Sequence, residues 1–498
     1  MKKKCLLSAF ILICLIEAVE AQNSMTLTIE EVIELSKEQS LMAIQAKHTF
    51  RASYWQYRTY KANYLPSLVF SATLPNFSRA MTAVQQNDGT YQYMQDYSNR
   101  ISSAMDIEQG VPLTGGTFSI GSSLGRTDIL GDNPYHQYVS TPLNISYSQS
   151  IFGLNTFKWD KKIEPLRYEE AKKTYLSSME RVTLTAINYF FNLASVQQRV
   201  AIGEFNKMNN DSLYRMAKGR YNIGIIGENE MLQSELNFMN SSSVLNQALL
   251  DLEVSKNRLR SFLGFNETVD ITIVIPENVP KVLLDVEKII ELAKQNNPNI
   301  LSYERQLIEA QREVARAKSQ NGLSANLSLQ FGLDQRSGTP IRSGTISEVY
   351  TKPGDMERVQ LGLRIPILDW GKGKGRIKMA KSNEEMEKVR IQQALTDFEQ
   401  NIIMQVNQYN MQYNQLQLTA KADTIARNRY TVSMQRYKID KINITEMNNA
   451  QNDRDNALMN YVSAMNRYWE YFYTIRQLTL YDLSNNKPLE TDYDKLVD

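Results

Sequence analysis

The chain has 498 residues, and 56 lysines and arginines against 54 aspartates and glutamates give it a formal charge of only +2. A near-neutral chain has no long-range field that gathers nucleic acid over its surface, so we expect no nucleic acid among its partners. With 42% apolar residues, 22 glycines and 13 prolines, the composition suits long helices with thin apolar seams better than a thick globular core.

The N-terminus has the pattern of a secretory signal peptide. Three lysines at 2–4 precede an apolar run at 5–16, and small residues follow. We expect residues 1–21 to be removed by cleavage before Gln22, which leaves a mature chain without cysteine. A lipoprotein is the alternative, but large residues stand before Cys14 where a lipid-attachment site requires small ones.

The chain is a tandem duplication. Residues 220–224 (RYNIG) recur at 436–440 (RYKID), 216 positions later, and each copy is followed by Glu-Met. Each half therefore has the same predicted order: a helix of about 36 residues (28–63 and 284–319), alternating strands, a long helix and a shorter helix.

Strict alternation of apolar and small polar residues predicts strands at 68–74 and 143–147 in the first half, and at 327–333 and 359–365 in the second. An ordinary sandwich edge has the same pattern. Because no run of 18 apolar residues follows residue 21, a membrane-embedded part would have to be a closed β-barrel.

The strands lead into very long helices. Apolar residues recur at spacings of three and four from 372 to 436, and a comparable helix is predicted over 160–218. Shorter helices follow at 228–262 and 443–476. Long helices with narrow apolar seams on two sides cannot bury both seams within one chain. They need neighbouring chains to pack against, so we expect an oligomer.

These elements divide the chain into five parts. They are a signal peptide (1–21), a first repeat (22–265, with a tip turn at 219–227), an equatorial linker (266–283), a second repeat (284–477, with a tip turn at 437–445) and a C-terminal equatorial tail (478–498).

This organisation resembles the TolC-type outer-membrane efflux proteins over essentially the whole mature chain. The most specific residues are the turns 221–225 and 437–441 and the strand-to-helix corner 365–371, and Asn297-Pro298 is also typical of the family. The resemblance implies a mixed α and β fold: a trimeric outer-membrane β-barrel continuous with a long periplasmic α-helical, coiled-coil barrel, in a Gram-negative bacterium.

The resemblance also implies a function. We expect a passive channel that exports small molecules from the periplasm together with a periplasmic adaptor and an inner-membrane RND or ABC transporter. Type I protein secretion is the nearest alternative, and a soluble periplasmic coiled-coil scaffold or adaptor is the alternative of a different class.

Two groups of site residues follow from the resemblance. The expected adaptor-docking residues at the tips are Gly224, Ile225, Ile226, Asp440, Lys441 and Ile442, where Asp440 replaces the family's glycine. The expected periplasmic gate consists of Glu446 and Asn449, with Glu230 at the equivalent place in the first half. A helix-ending turn and a first-turn carboxylate are the simpler explanations of the two groups.

The number of strands is the point where sequence and family differ. The family has four strands per chain and twelve per trimer, whereas this sequence carries two further alternating runs, at 101–107 and 118–124. We expect four strands in the barrel, with 101–124 extending strands or capping the outer mouth. Six strands per chain and eighteen in all is the alternative.

The sequence offers little catalytic chemistry. The only histidines are His48 and His136, and no motif for a metalloprotease or a serine hydrolase is present. The glycines and lysines of 371–375 lack the spacing of a phosphate-binding loop. We therefore expect no enzyme activity, no cofactor and no metal.

Overall fold

The computed structural model describes residues 24–86, 88–131, 134–265, 269–276, 279–339 and 341–497, so the expected signal peptide lies outside the described residues. The chain forms two compact units. One comprises the residues up to 52 with 171–300 and those from 394 onward, and the other comprises 53–170 and 301–393.

The helices, in chain order, are α1 (Ile29–Gln39), α2 (Leu41–Ala62), α3 (Thr156–Asn222), α4 (Glu228–Leu263), α5 (Val286–Asn296), α6 (Pro298–Gln320), α7 (Glu348–Thr351), α8 (Lys372–Lys438), α9 (Ile444–Thr479) and α10 (Asp494–Val497). None of the described helices combines the length and the hydropathy needed to cross a membrane. The duplication is visible in their lengths: α3 and α8 have 67 residues each, and α4 and α9 have 36 each.

The expectation of unbroken helices over 28–63 and 284–319 is wrong at one residue in each. Ser40 and Asn297 both have extended backbone, with ψ of 144° and 132°. The Ser40 hydroxyl accepts from the Ala43 N–H at 3.1 Å, and the Asn297 side chain accepts from the Asn299 N–H at 3.0 Å. Each residue thus caps the helix that follows it, and Pro298 additionally disfavours helical backbone at the residue before it.

The first unit has a core drawn from the long helices. Phe190 and Phe191 of α3 are buried with Tyr409 of α8 and with Tyr468 and Phe472 of α9. The Tyr409 and Tyr468 hydroxyls are hydrogen-bonded at 3.0 Å, which satisfies both polar groups inside the core. A two-stranded parallel sheet, β1 (Ser24–Leu27) with β6 (Asp270–Ile273), packs beside this core.

The second unit contains one six-stranded antiparallel sheet. Its strands, in sheet order, are β2 (Ser67–Gln85), β3 (Tyr91–Val111), β4 (Gly116–Ile129), β5 (Tyr135–Ser150), β7 (Ser324–Ser337) and β8 (Gly354–Arg364). Short strands β9 (Tyr481–Asp482) and β10 (Lys487–Pro488) pair near the C-terminus, in the first unit. The expectation of four strands in the ladder is wrong, because the runs at 101–107 and 118–124 lie inside β3 and β4.

One face of this sheet is apolar across five neighbouring strands. A single row of cross-strand partners consists of Leu68, Ile107, Ile120, Ile145 and Phe331. The opposite face is polar, as shown by hydrogen bonds between Ser119 and Ser146 at 2.6 Å and between Gln330 and Asn144 at 2.9 Å. β3 and β4 therefore carry the same two-faced pattern as the four strands that the sequence predicted.

Candidate functional site at the helical tips

Both long hairpins end in the same backbone turn. Gly224 follows α3 with φ of 77°, and Asp440 follows α8 with φ of 63°. In each turn the left-handed residue donates its N–H three residues back, and the next residue donates five residues back, at 2.9 to 3.1 Å. This is a Schellman motif, which satisfies the last carbonyls of a helix. Aspartate is among the few residues other than glycine that adopt this conformation at modest cost.

The second tip is tied to the first by an ion pair. The Arg220 guanidinium donates to the Asp440 carboxylate at 3.0 Å and to the Lys438 carbonyl at 3.3 Å, and it lies 5.8 Å from the ring centroid of Tyr437. Arg220 is the residue that the sequence analysis missed. Its signal was present in the repeat, because a basic residue precedes the tyrosine at both tips and only the second tip has a carboxylate in place of glycine.

The expected docking residues differ in exposure. Gly224, Ile225, Asp440 and Lys441 are exposed, whereas Ile226 and Ile442 are half-buried. Ile442 packs against the small core of the tips, a cluster formed by Leu213, Tyr430, Tyr437, Ile444 and Met447. Two exposed residues that sequence reasoning left out, Ile223 and Ile439, are 72% and 66% exposed and add to the apolar surface of the tips.

Glu446 and Asn449 lie on one side of the first turns of α9. The Asn443 side chain caps this helix by accepting from the Glu446 N–H at 2.9 Å. Glu446 and Asn449 are exposed, while Met447 and Ala450 on the other side are buried. Glu446 thus lies in the first turn of α9, where the helix dipole stabilises a carboxylate. Its side chain is exposed and therefore accessible to a neighbouring molecule.

Glu230 has a different environment from Glu446. It is half-buried in the first turn of α4. Burial raises the pKa of the Tyr437 hydroxyl, and the negative charge of Glu230 raises it further. Glu230 and Glu446 are therefore equivalent in the sequence repeat but differ in exposure, since only Glu446 is exposed.

The side of α9 that carries Glu446 and Asn449 continues as a polar stripe. Its further exposed residues, at helical spacing, are Asp453, Asn456, Asn460, Ser463 and Arg467. The stripe is about 32 Å long at 1.5 Å per residue. Most of its side chains are uncharged, so this side of α9 is suited to water and polar solutes rather than to helix packing.

The opposite side of α9 is clamped to α3 and α8. The Arg454 guanidinium lies over the rings of Phe205 and Tyr430, 4.3 and 4.4 Å from their centroids. It also donates to the Asn206 side chain at 2.9 Å and pairs with Asp455. A cation over two aromatic rings is well placed for cation–π attraction, so Arg454 fixes the height of α9 relative to the other two helices.

Comparisons with known proteins agree with this fold. The family model named outer membrane efflux protein matches residues 289–480. The matched part runs from α5 to the residue after α9 and so covers most of the second repeat. No curated protein matches the chain.

The fold of the chain is similar to the folds of several solved outer-membrane channels. The outer membrane channel CmeC of Campylobacter jejuni has a TM-score of 0.65 and 15% identity, with 94% of this chain and 88% of that chain covered. The outer-membrane channel OprN has a TM-score of 0.65, 14% identity, and 91% and 89% coverage. VceC of Vibrio cholerae has a TM-score of 0.61, 12% identity, and 93% and 97% coverage. These matches are to channels rather than enzymes.

Proposed function

We propose that three copies of the chain form an outer-membrane conduit that exports small molecules, such as drugs and toxic compounds, from the periplasm. The conduit works in a tripartite efflux system with a periplasmic adaptor and an inner-membrane RND or ABC transporter, which supplies the energy. The conduit itself performs no catalysis and needs no cofactor.

The observation that carries the assembly is a second apolar seam on α8. One seam of this helix, containing Ile402, Tyr409, Leu416, Tyr430 and Tyr437, is buried within the chain. A second seam lies two residues further on at every heptad, and its members, all exposed, are Met404, Met411, Leu418, Ile425, Val432 and Ile439. A strict seven-residue apolar repeat is the pattern of a coiled-coil contact, so α8 is built to pack against a helix of another copy.

The complementary surface is on α4. Its exposed face carries Leu232, Leu236, Met239 and Leu250 at helical spacing. Leu232 and Val432 each lie eight residues from the left-handed residue of their tip, and Met239 and Ile425 each lie fifteen residues away. We therefore place α4 of one copy against α8 of the next, with their apolar residues at the same heights.

The sheet supports the same assembly. β2 and β8 are its two edges, and nearly all of their residues are exposed. A long unpaired edge is a template for another strand. Pairing β8 of one copy with β2 of the next closes the ladder, and three copies of six strands give an eighteen-stranded barrel with its apolar face toward lipid.

The tips are the proposed adaptor contact. Their apolar side chains Ile223, Ile225 and Ile439 are exposed beside Lys441, and an exposed apolar patch rimmed by polar residues is typical of a protein interaction site. The exposed side of Glu446 and Asn449 is the proposed gate, because three copies around an axis would bring their carboxylates together.

The test is complementation of a deletion strain. A variant with Ile225→Asp and Lys441→Glu should reach the membrane as a trimer at the normal level and fail to restore drug resistance. Val274→Asp and Lys421→Glu make the same changes at exposed positions outside the tips and should restore resistance. Full resistance from the tip variant would remove the docking assignment. A deletion strain with unchanged drug resistance but a missing secreted protein would replace efflux by type I secretion.

A further inference from the structure

β2 and β3 extend far beyond the rest of the sheet. β4 ends at Ile129, which pairs with Ser98. The next residue, Leu130, donates its N–H to the Tyr97 carbonyl at 2.6 Å, and residues 91–96 of β3 pair with β2 alone. We call residues 77–85 and 91–97 the ribbon. Seven residues at about 3.3 Å each carry the ribbon roughly 23 Å past the end of β4. A two-stranded ribbon is marginally stable alone in water, so its own pairing does not explain its length.

A bulge decides which way the ribbon side chains point. The register of β2 against β3 shifts between Thr73 and Asn76, where Leu74 and Pro75 lie opposite Ile101. Such a bulge reverses the alternation of β2 beyond it. Without the bulge, Phe77 would point away from the apolar face of the sheet.

Because of this reversal, the aromatic residues of the ribbon continue the apolar face. On β3 the odd-numbered residues run from Ile107 of the apolar row to the tip, and on β2 the odd-numbered residues beyond the bulge are their direct partners. On this ribbon face lie Phe77, Arg79, Met81, Tyr91, Tyr93 and Tyr97, together with Ala83, Gln85 and Gln95. The opposite face carries small or polar residues such as Ser78, Thr82 and Gln92.

The ribbon face is exposed and chemically distinctive. Tyr91, Tyr93 and Met81 are 65%, 70% and 66% exposed. Phe77 meets Tyr97 edge-on at 5.3 Å between centroids, and the Arg79 guanidinium lies over the Tyr97 ring at 5.4 Å. The face therefore offers flat rings, phenol hydroxyls and a guanidinium together.

The height of the ribbon identifies its surroundings. The apolar band of an outer-membrane barrel is about 25 Å tall and is bordered by aromatic side chains. On β3, Tyr97 and Tyr91 lie roughly 13 and 33 Å beyond Ile101, the last aliphatic residue of the band, at about 3.3 Å per residue. In the proposed outer-membrane barrel, on which this inference rests, the ribbon face is thus level with the head groups of the outer leaflet and above them. In a Gram-negative outer membrane these head groups are phosphorylated saccharides of glycolipid.

We propose that the ribbon face binds the phosphorylated saccharide head groups of the outer-leaflet glycolipid that surrounds the barrel. Aromatic faces pack against the C–H faces of sugar rings, and phenol hydroxyls bond to sugar hydroxyls. The Arg79 guanidinium donates to phosphate oxygens. Binding covers an exposed aromatic surface that is continuous with the lipid-facing side of the sheet, and it anchors the barrel laterally. The site is separate from the tips and takes no part in export.

The test uses the full-length protein in phospholipid nanodiscs and deacylated, phosphorylated core oligosaccharide as the soluble probe. The wild type should bind this probe, and Arg79→Ser with Tyr91→Ser and Tyr93→Ser should weaken binding by about tenfold or more, because two stacking rings and one cation are lost. Thr82→Ser with Gln92→Ser changes the opposite face of the same ribbon and should bind as the wild type does. The dephosphorylated probe should bind the wild type more weakly than the phosphorylated probe does. It should bind the wild type and the single variant Arg79→Ser equally.

Three outcomes would overturn the proposal: no binding of the probe to the wild type, equal binding by the triple variant, or equal loss in both ribbon variants. Binding of a surface protein to the ribbon with no affinity for the oligosaccharide would replace it. Drug resistance is measured on the same variants. If no complemented strain regains drug resistance, not even the one that carries the wild-type protein, the result counts against the proposed export function and leaves the saccharide result standing.

Discussion

Asp440 takes the place of the glycine of the first tip, and its carboxylate adds an ion pair between the two hairpins. At the first tip Gly224 takes its left-handed conformation without a side chain, and nothing lies within 4 Å of the Cβ that a larger residue would carry there. At the second tip the aspartate adopts the same conformation and its carboxylate holds Arg220. The modest conformational cost of aspartate is offset by a contact that joins the two hairpins.

Asp440→Gly separates these two roles. Glycine keeps the turn, because it adopts positive φ freely, but it releases Arg220. We call the tips closed when this contact joins the two hairpins and open when it is broken. An exposed ion pair contributes about 0.2 to 1 kcal/mol, so its loss should raise the ratio of open to closed tips about 1.4- to 5-fold. Single-channel recording without adaptor measures this ratio. Arg220→Gln should give at least this increase, because it also loses the bond to the Lys438 carbonyl, and Asp440→Gly should add nothing in the Arg220→Gln background. Additive increases would mean that the two residues act independently.

The role of Glu446 depends on its three copies. If the proposed trimer brings three exposed carboxylates around one axis, Glu446→Gln should lower cation selectivity and weaken block by multivalent cations. The difference should shrink at about 1 M salt, where charges are screened within about 3 Å. Reversal potentials in a salt gradient measure the selectivity. Glu230→Gln is the matched control, since Glu230 is half-buried. Unchanged selectivity in Glu446→Gln would leave this residue as a first-turn carboxylate.

The helix α8 has two apolar seams on opposite sides. One seam packs inside the chain, and the other is exposed. A helix that is apolar on two sides needs a partner on both. The exposed seam has no polar member from Met404 to Ile439, whereas the buried seam includes Asp423, which is paired with Arg427 at 2.7 Å.

Charges in the exposed seam should prevent assembly without unfolding the chain. Leu418 and Ile425 are 65% and 58% exposed, and each would contribute about 1.5 to 3 kcal/mol per copy if fully buried in a trimer. Leu418→Asp with Ile425→Asp should therefore yield monomers in detergent, by light scattering, with helix content unchanged by circular dichroism. Gln417→Asp, an exposed change about a quarter-turn away, should remain trimeric. Trimers from the double variant would show that another face forms the contact.

Sequence periodicity predicted the long helices well because the apolar spacing that produces each helix recurs many times along it. The spacing of apolar residues over 372–436 gave α8 to within two residues at its end. The break at Ser40 was missed because it depends on a single local hydrogen bond, from the Ala43 N–H. The break at Asn297 had a visible signal, since Pro298 disfavours helical backbone at the residue before it. Asn297 is also held by a bond from its side chain to the Leu478 carbonyl at 2.9 Å, a contact between residues 181 positions apart.

The tip residues were found for a similar reason, and the link between them was missed. The repeat marks Gly224 and Asp440 as equivalent turns, and both have positive φ. The partner of Asp440, however, is 220 positions away, and no spacing rule joins them. The roles of these residues in docking remain proposals that the tip variants test.

The strand count was predicted wrongly although its pattern was visible. Alternation at 101–107 and 118–124 is visible, although Ser103 and Ser122 interrupt the apolar series. The expectation of four strands came from matching barrel width to the helices below. The structure pairs β3 with both β2 and β4 over long registers, and the apolar row passes through Ile107 and Ile120. Local alternation was the better guide than the analogy.

At the scale of the whole molecule, six strands per copy change the proposed pore. Barrel diameter grows roughly linearly with strand number, so eighteen strands give a pore about one and a half times as wide as twelve. The polar side of the sheet, with Gln330 and Asn144 bonded across it, would line a water-filled vestibule. Resistance to solutes would then lie at the tips, where Glu446 and the Arg220–Asp440 pair are found, and not in the barrel.

Polymer exclusion measures this width directly. Polyethylene glycols of increasing size are added to the outer side of single channels, and the largest polymer that still lowers conductance gives the pore radius. An eighteen-stranded barrel should admit polymers about one and a half times larger in radius than a twelve-stranded one does. In the same channels, Ile107→Cys and Ile120→Cys should resist water-soluble maleimide because they face lipid, whereas Ser119→Cys and Ser146→Cys on the other side should react. A twelve-strand radius, together with maleimide labelling of the Ile107→Cys and Ile120→Cys variants, would mean that β3 and β4 leave the barrel wall when three copies assemble.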